Sequence, residues 1–396
     1  MSFPTPVVGE CSPPATTNVP HEKCSIGPLG SSNMRVPPSR MTRLISTVYH
    51  PTLRTARWSD KPSFLHGRLA FVPIGGIIYP RERSSMILIT GATSFVGRAV
   101  VRRAAAEQRE IRCLLCPSRH ELQLPAGVSF SSISASMNDL PALRTAMQDV
   151  TAIVHLLGEE EITHGEIPAS YIEDTANLIS AARETGITRF ICLSRLGADR
   201  ASAYPLMRVM GELEATVLQA ELNYTILQTS IVYGAEDQFT NVLTMLAKSI
   251  PIVMPIPDAG LSRFQPLWVE DLARCILTTT EQNKLVRRTI PLGGPEHFTL
   301  EQMVTNVLTA AGIHKRLLTL RIPMMHWAIA LADALLPRNP TPFWWIDLLT
   351  AGSATDLMSI PQHYDFEPCR FADCLSYLSR KRPWRRDLVR LVFNRL

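Results

Sequence analysis

The sequence predicts a doubly wound parallel α/β sheet, and three observations carry that prediction. A strand–turn–helix signature occupies residues 86–97, short apolar runs follow it, and helical patterns of crossover length separate most of those runs. In Met86-Ile-Leu-Ile-Thr-Gly-Ala-Thr-Ser-Phe-Val-Gly97 the apolar run breaks at Thr90-Gly91 and resumes with helical spacing from Phe95. A turn of this kind presents backbone N–H groups and a helix N-terminus to a pyrophosphate. Gly91 permits the turn, and Gly97 lets the new helix lie close to the strand. Ser94 stands where a third glycine would bring a diphosphate against the backbone.

The later runs are Ile111 to Cys116, Thr151 to Leu157, Arg189 to Ser194 and Tyr224 to Val232, with amphipathic segments such as Ser170 to Thr185 between them. Apolar runs buried on both faces and alternating with helices imply parallel strands and crossovers, with the ligand crevice at the carboxyl ends of the strands.

The stretch from Met86 to about Leu378 resembles the short-chain dehydrogenase/reductase superfamily in its atypical, extended branch, which includes epimerase-like and nitrogen-metabolite-repressor-like members. The likeness is carried by Thr90-Gly91-Ala92-Thr93-Ser94-Phe95-Val96-Gly97, His155-Leu156-Leu157-Gly158, Phe190-Ile191-Cys192-Leu193-Ser194 and Ser230-Ile231-Val232-Tyr233-Gly234, followed by residues 264–273 and Leu292-Gly293-Gly294-Pro295. Within the branch it is similar to the nucleotide-binding accessory subunits of respiratory complex I and their bacterial relatives. The resemblance implies an NAD(P)-binding Rossmann domain over 86–235 and a C-terminal substrate or partner lobe over 236–378, with strands returning to the sheet. It implies cofactor contacts from Gly91, Thr93, Ser94, Phe95, Val96 and Gly97 in the first turn, Leu157 and Gly158 after the 151–157 run, and Ser194, Ser230 and Ile231 further on.

Cofactor choice is weighed at the end of the second strand, where NAD-binding folds place an acid and NADP-binding folds accommodate the 2′-phosphate with arginine. Here the strand ends Leu115-Cys116-Pro117-Ser118-Arg119-His120, with no acid. NADP(H) is therefore favoured over NAD(H), with Arg119 as the guanidinium partner and Ser118 beside it; the alternative leaves Arg119 a solvated loop residue. Ser136 stands where relatives carry the acid that contacts adenine.

The superfamily's chemistry uses a tyrosine, a lysine four residues later, and a Ser or Thr that binds the substrate oxygen. Ser194 can serve as that hydroxyl. No Tyr-x-x-x-Lys follows in the next helix, and two registers are open. One pairs Tyr204 with Arg208, which stays protonated and cannot join a proton relay. The other, anchored on Gly211-Glu212, puts Leu206 and Met210 at the two positions. The candidate catalytic set is thus Ser194, Tyr204 and Arg208, and nucleotide binding without turnover leads. Gln228 and Thr229 replace the Arg-Pro of many relatives, away from a sugar-nucleotide epimerase pattern.

Other polar groups are read structurally. Glu159, Glu160, Glu161 and His164 form a solvated loop, and no metal site is expected. Tyr171, Thr175 and Asn177 share a helix, with Asn177 expected to cap backbone groups in the core. Eight scattered cysteines, several in strand runs, point to reduced thiols in a cytosol-like compartment, and Cys113 and Cys116 to a structural role.

Residues 1–85 hold 12 of the 30 prolines and ten Lys or Arg against four acids, so they cannot readily bury a core. They are read as disordered, and as an extension ahead of a true start at Met86 or as an organelle import leader. Setting them aside leaves 311 residues, enough for a Rossmann domain plus a smaller lobe. At the other end, Ile322 to Leu336 and Phe343-Trp344-Trp345 are strongly apolar, too short for a transmembrane span, and fit a packed helix, a partner-docking face or an interfacial helix.

Residues 379–396 form a basic amphipathic tail. From Arg380 onward it carries seven Lys or Arg against one Asp, with Leu388, Val389, Val392, Phe393 and Leu396 at helical spacing. Segments 322–345 and 380–396 can meet a protein complex or a peripheral membrane surface, or pack on their own domain. The net charge of +5 comes from the two ends, which leaves a body of about −7, so nucleic acid is not an expected partner.

Three functional classes follow. The leading one is an NADP(H)-binding accessory or assembly subunit with little or no catalysis. The others are an NADPH-dependent reductase or epimerase on a small carbonyl or isoprenoid-like substrate, and a redox-sensing regulator that binds dinucleotide and a protein partner.

Overall fold

The computed structural model describes residues 85–116, 124–125, 127–156, 170–258, 262–337, 339, 341, 345, 348–349, 352–380 and 382–393. The strands of the central sheet are β1 (Met86–Thr90), β2 (Ile111–Leu115), β3 (Ser131–Ser134), β4 (Val150–His155), β5 (Arg189–Arg195) and β6 (Asn223–Thr229). Beyond them come β7 (Val232–Tyr233), β8 (Val253–Pro257), β9 (Leu267–Trp268), β10 (Arg288–Leu292) and β11 (Arg316–Leu320). The seven-stranded sheet runs β10-β6-β5-β4-β1-β2-β3, every pairing parallel, as the apolar runs predict. β1 lies between β2 and β4, which are reached by crossovers in opposite directions, so the topological switch point falls beside the Gly91 turn.

The helices are α1 (Phe95–Ala106), α2 (Leu140–Ala146), α3 (Ser170–Glu184), α4 (Pro205–Leu218), α5 (Phe239–Ser249), α6 (Val269–Glu281), α7 (Leu300–Ala310), α8 (Ile322–Leu335) and α9 (Trp384–Phe393). One face of the sheet buries Ile87, Ile89, Val154 and Ile191 against Val100 of α1 and Leu272 and Ile276 of α6. The opposite face buries Leu88, Ile153 and Phe190 against Leu143, Leu178 and Met210 of α2, α3 and α4. A third cluster joins α5, α7 and the 3-10 helix Asp373–Ser379 around Tyr233, Phe264 and Phe371.

Two run boundaries differ from the sequence reading. β3 is a short, mostly exposed edge strand of serines and one isoleucine, so no apolar run announces it. The run from Tyr224 to Val232 is interrupted: β6 ends at Thr229, the Ser230 amide turns to the Leu292 carbonyl at 3.0 Å, and β7 pairs instead with β9.

The expectation of uniformly reduced cysteines fails in the C-terminal region, where the turn into the 3-10 helix brings Cys369 and Cys374 together in a disulfide. Cys113, Cys192 and Cys275 are free and buried, and burial pushes the Cys113 thiol up to about 12, the signature of an inert core residue. No cluster of metal-ligating side chains occurs among the described residues.

α7 shows how local sequence sets a helix start. Thr299 Oγ1 accepts from the Gln302 amide at 3.2 Å while Gln302 Oε1 accepts from the Thr299 amide at 2.9 Å, a reciprocal capping box. Thr299→Ala should cost about 1 kcal/mol, read as a lower urea midpoint at unchanged slope.

Candidate functional site

The site begins where β1 stops. Gly91 takes a positive φ of 67°, and a Cβ there would stand 2.2 Å from the carbonyl oxygen of Leu156, so β4 and the first turn approach more closely than any side chain allows. Gly97 is as constrained on the helix side, because its Cβ would meet the Gly91 carbonyl oxygen at 2.1 Å and Ala92 at 2.8 Å. The turn is closed by the Ser94 amide, which donates to the Gly91 carbonyl at 3.0 Å.

Ser94 is the N-cap of α1: its buried hydroxyl accepts from the Gly97 amide at 3.0 Å. The side chain that replaces the middle glycine is thus turned into the helix end, and helix geometry leaves the amides of Phe95 and Val96 without intrahelical acceptors. The side chains of Phe95 and Val96 belong to the core beneath α1, so these two positions can offer a ligand only their main chain. The Thr93 carbonyl accepts from Arg98, whose Nε also pairs with Glu236 at 2.6 Å. Arg102 adds bonds to Glu236 at 2.8 Å and Glu270 at 3.4 Å. Burial alone would raise the Glu236 carboxyl, but the hydrogen bond from Arg98 and the charge of Arg102 outweigh it and hold the group below its ordinary range. This clamp between α1 and the loop after β7 is carried by charged residues more than 130 positions apart. Only the spacing of Arg98 and Arg102 on one helix face hints at it.

Beneath the turn lies a buried polar chain. His155 Nδ1 sits 2.7 Å from the Thr90 hydroxyl, and its Nε2 lies 3.0 Å from the Thr175 hydroxyl and 3.2 Å from that of Tyr171, whose ring stacks on the imidazole. Thr175 donates its own proton to the Tyr171 carbonyl, so both imidazole nitrogens and all three hydroxyls around them are engaged. Burial lowers the His155 pKa to about 4.

Ser194, at the end of β5, is buried and donates to Glu214 Oε1 at 2.5 Å. Gln228, its register partner on β6, donates to both oxygens of the same carboxylate at 2.9 and 3.0 Å. Burial raises the Glu214 pKa against the opposing effect of these bonds. The sequence reading did not include Glu214; its spacing from Gly211-Glu212 resembles an ordinary surface turn of helix. Tyr204 is the partly buried N-cap of α4, and Arg208 is exposed one turn later. Leu206 and Met210 are both core residues, 4% and 1% exposed.

Several expected contacts fall elsewhere. The Ser230 hydroxyl donates to the Ser353 carbonyl at 2.9 Å and Ile231 belongs to the core around Tyr233, so Ser230 ties the returning C-terminal segment to the sheet. Ser136 is exposed and opens the turn before α2. Asn177 does not cap the backbone: it is half-buried and donates to Asn138 Oδ1 at 3.2 Å. The two late landmarks meet, since the buried Gln265 side chain donates to the Gly294 carbonyl at 2.6 Å, and a Cβ on Gly293 would overlap it. Arg119, Leu157, Gly158, residues 159–161, His164 and the leader 1–84 lie outside the described residues.

The C-terminal segments divide. α8 leaves Met324, Trp327, Leu331 and Leu335 exposed and buries only Ile329. α9 packs on the α5 cluster through Trp384, Leu388 and Leu391, Val392 is buried, and Val389 and Phe393 are exposed. Among the described residues no helix is long and apolar enough to cross a membrane.

A parallel sheet with a glycine-bounded turn and an open helix N-terminus at its switch point defines a dinucleotide-binding α/β protein. Residues 91–249 match a family model described as NAD(P)H-binding. The chain is 26% identical over 289 residues to NADH dehydrogenase (ubiquinone) 1 alpha subcomplex subunit 9, mitochondrial, of Arabidopsis thaliana, covering 70% of each. It is 24% identical to the mouse protein of that name, covering 54% of this chain and 58% of the other. To the photosystem II assembly factor Ycf39 of Guillardia theta it is 27% identical, covering 55% and 68%. Among solved structures it is similar in fold to a nucleoside-diphosphate-sugar epimerase from Staphylococcus aureus, with a TM-score of 0.58 at 15% identity over 74% of this chain and 99% of the other. A UDP-N-acetylglucosamine 4-epimerase from Bacillus cereus gives 0.53 at 17% over 75% and 96%.

Proposed function

We propose that the protein is an NADP(H)-binding accessory or assembly subunit that holds its dinucleotide without turning it over. The observation that supports this most is the fate of the catalytic register. Leu206 and Met210 are sealed in the core, and the alternative pair, Tyr204 and Arg208, offers a guanidinium where a relay needs lysine. The relatives named as a subunit of NADH dehydrogenase (ubiquinone) and as a photosystem II assembly factor support a role inside a larger complex. The mitochondrial label of the first of these supports an organelle setting, and the exposed apolar face of α8 supports a peripheral position there.

In this reading the amides of Phe95 and Val96 receive the diphosphate, Leu157 and Gly158 follow the adenosine side, Arg119 takes the 2′-phosphate and selects NADP(H), and the end of β5 at Ser194 flanks the nicotinamide. The full chain, purified from its source, should carry stoichiometric NADP(H) on denaturation and mass spectrometry and should show no NADPH oxidation with a panel of small carbonyls. Steady turnover would overturn the proposal. Arg119→Ala should weaken NADPH at least tenfold and leave NADH unchanged, the scale of one charge-assisted contact; equal effects on both would remove the 2′-phosphate assignment.

A second reading, a reductase or epimerase, is favoured by one observation: the Ser194–Glu214 hydrogen bond supplies a carboxyl of raised pKa near the strand ends. Glu214→Gln would then abolish any NADPH oxidation detected while leaving nucleotide affinity unchanged.

A further inference from the structure

Between the C-terminal turn of α5 and the start of α9 lies an open concavity of about 460 Å³ lined by Lys248, Arg382, Pro383, Trp384, Arg385 and Arg386. Four of its six lining residues are cationic. The counter-charge is Asp387, which is engaged with Arg382 at 2.6 Å, and among the described residues Lys248, Arg385 and Arg386 have no carboxylate partner. Arg385 Nε donates to the Lys248 carbonyl at 3.1 Å, which anchors one guanidinium nitrogen and leaves the others for the cavity.

Trp384 organises this group. Lys248 Nζ lies 5.1 Å and the Arg382 guanidinium 5.2 Å from its ring centroid, distances at which the indole attracts cations. The side chain is 96% buried (4% exposed), yet its Nε1–H has no hydrogen-bond partner. A buried donor left unmade is costly, and buried indole N–H groups usually find an acceptor. Trp384 is also the first residue of α9, so the amides of Arg385 and Arg386 belong to the open positive end of that helix. An ammonium, guanidinium groups and helix amides therefore border one small space over the Trp384 ring. An anion with several oxygens suits that donor set, and a phosphate supplies three or four acceptors where a carboxylate supplies two.

We propose that this concavity is a binding site for a phosphate group, separate from the dinucleotide crevice. The phosphate can belong to a lipid headgroup or to a small soluble ester. Val389 and Phe393, exposed one and two turns beyond Arg385 on the same row of α9, point to the headgroup.

The test uses the full chain in three variants. Lys248→Gln with Arg386→Gln removes two donors, Trp384→Phe replaces the indole under the Lys248 and Arg382 cations by a smaller ring, and Arg144→Gln with Arg183→Gln removes two exposed charges from α2 and α3. Binding is measured by sedimentation with vesicles of phosphatidylglycerol in phosphatidylcholine and by calorimetry with glycerol 3-phosphate. The first double variant should weaken the bound probe about tenfold or more and Trp384→Phe a few-fold, with the α2/α3 control within about twofold. Vesicle binding alone identifies a headgroup site, and calorimetric binding of the ester identifies a soluble-ligand site. An equal loss in the control, wild-type binding by both site variants, or no binding of either probe overturns the proposal. NADPH affinity measured on the same samples should be unchanged, so a failed phosphate site remains distinct from a failed dinucleotide site.

Discussion

Gly97→Ala is expected to destabilise the protein by about 3 kcal/mol or more and to reduce dinucleotide affinity at least a hundredfold. The added methyl carbon would lie 2.1 Å from the Gly91 carbonyl oxygen and 2.8 Å from two backbone atoms of Ala92, so no side-chain rotation relieves the overlap. Overpacking against side chains costs roughly 1–3 kcal/mol, and backbone is less able to yield. α1 must slide away from the turn, and the slide breaks what positions the ligand's donors: the Ser94 amide bond to Gly91 and the Ser94 cap on Gly97. A contrasting substitution is Gly186→Asn. Gly186 has a similar positive φ of 76°, but a Cβ there meets nothing within 4 Å, and asparagine tolerates that backbone region. Thermal unfolding and calorimetry with NADPH check both. Gly97→Ala should lose several degrees of melting temperature together with measurable affinity, and Gly186→Asn should retain wild-type affinity. Native affinity in Gly97→Ala would mean that the turn does not position the ligand.

The parts of this fold that were legible in the sequence are those whose cause is local. β1, its turn and α1 follow from an apolar run, a glycine forced into positive φ and a glycine forced by close approach, all within twelve residues. The parallel pairing follows because runs separated by helical crossovers imply parallel strands, and the apolar runs count most of them. β3 escaped because Ser131–Ser134 is an edge strand with little to bury, and the break after β6 escaped because Ser230 looks like the middle of a run until its amide is seen turning to Leu292.

Side-chain commitments were the least legible. Ser194 reads as a free hydroxyl beside a crevice until Glu214, twenty residues on, accepts its hydrogen bond. Asn177 finds Asn138, and Arg98 finds Glu236, through tertiary approach that no periodicity encodes. The disulfide of Cys369 and Cys374 depends on a short turn in a segment without strong periodicity. The apolar stripe of the tail divides by packing, with Val392 buried and Val389 exposed, which helical spacing alone does not encode.

His155 gives the strongest expected pH effect. Its folded pKa is depressed from 6.5 to about 4 by burial, so between those values the unfolded chain takes up a proton that the folded chain refuses. The stabilisation it represents is fully present above 6.5 and is lost as the pH falls toward 4. Asp237 works in the opposite direction. Fully buried at the start of α5, and despite bonds from the Gly234 and Thr240 amides, its carboxyl is raised from 3.8 to about 6 by burial, so its contribution grows as the pH falls through 6. The wild-type curve between pH 6 and 4 is therefore flatter than either group alone would give. His155→Gln separates them. At pH 7.5 the variant should be less stable by about 2 kcal/mol, the scale of a disrupted buried hydrogen-bond pair. The gap to wild type should close or reverse by about 2 to 3 kcal/mol at pH 4.5, because glutamine has no proton to refuse. Urea unfolding at the two pH values reads this directly, and a gap independent of pH would show that the imidazole titrates normally in the folded protein. Since the His155 bond holds Thr90, the last residue before the Gly91 turn, acid should weaken dinucleotide binding in wild type only as the pH approaches about 4, where the folded imidazole takes up its proton, and less so in the glutamine variant.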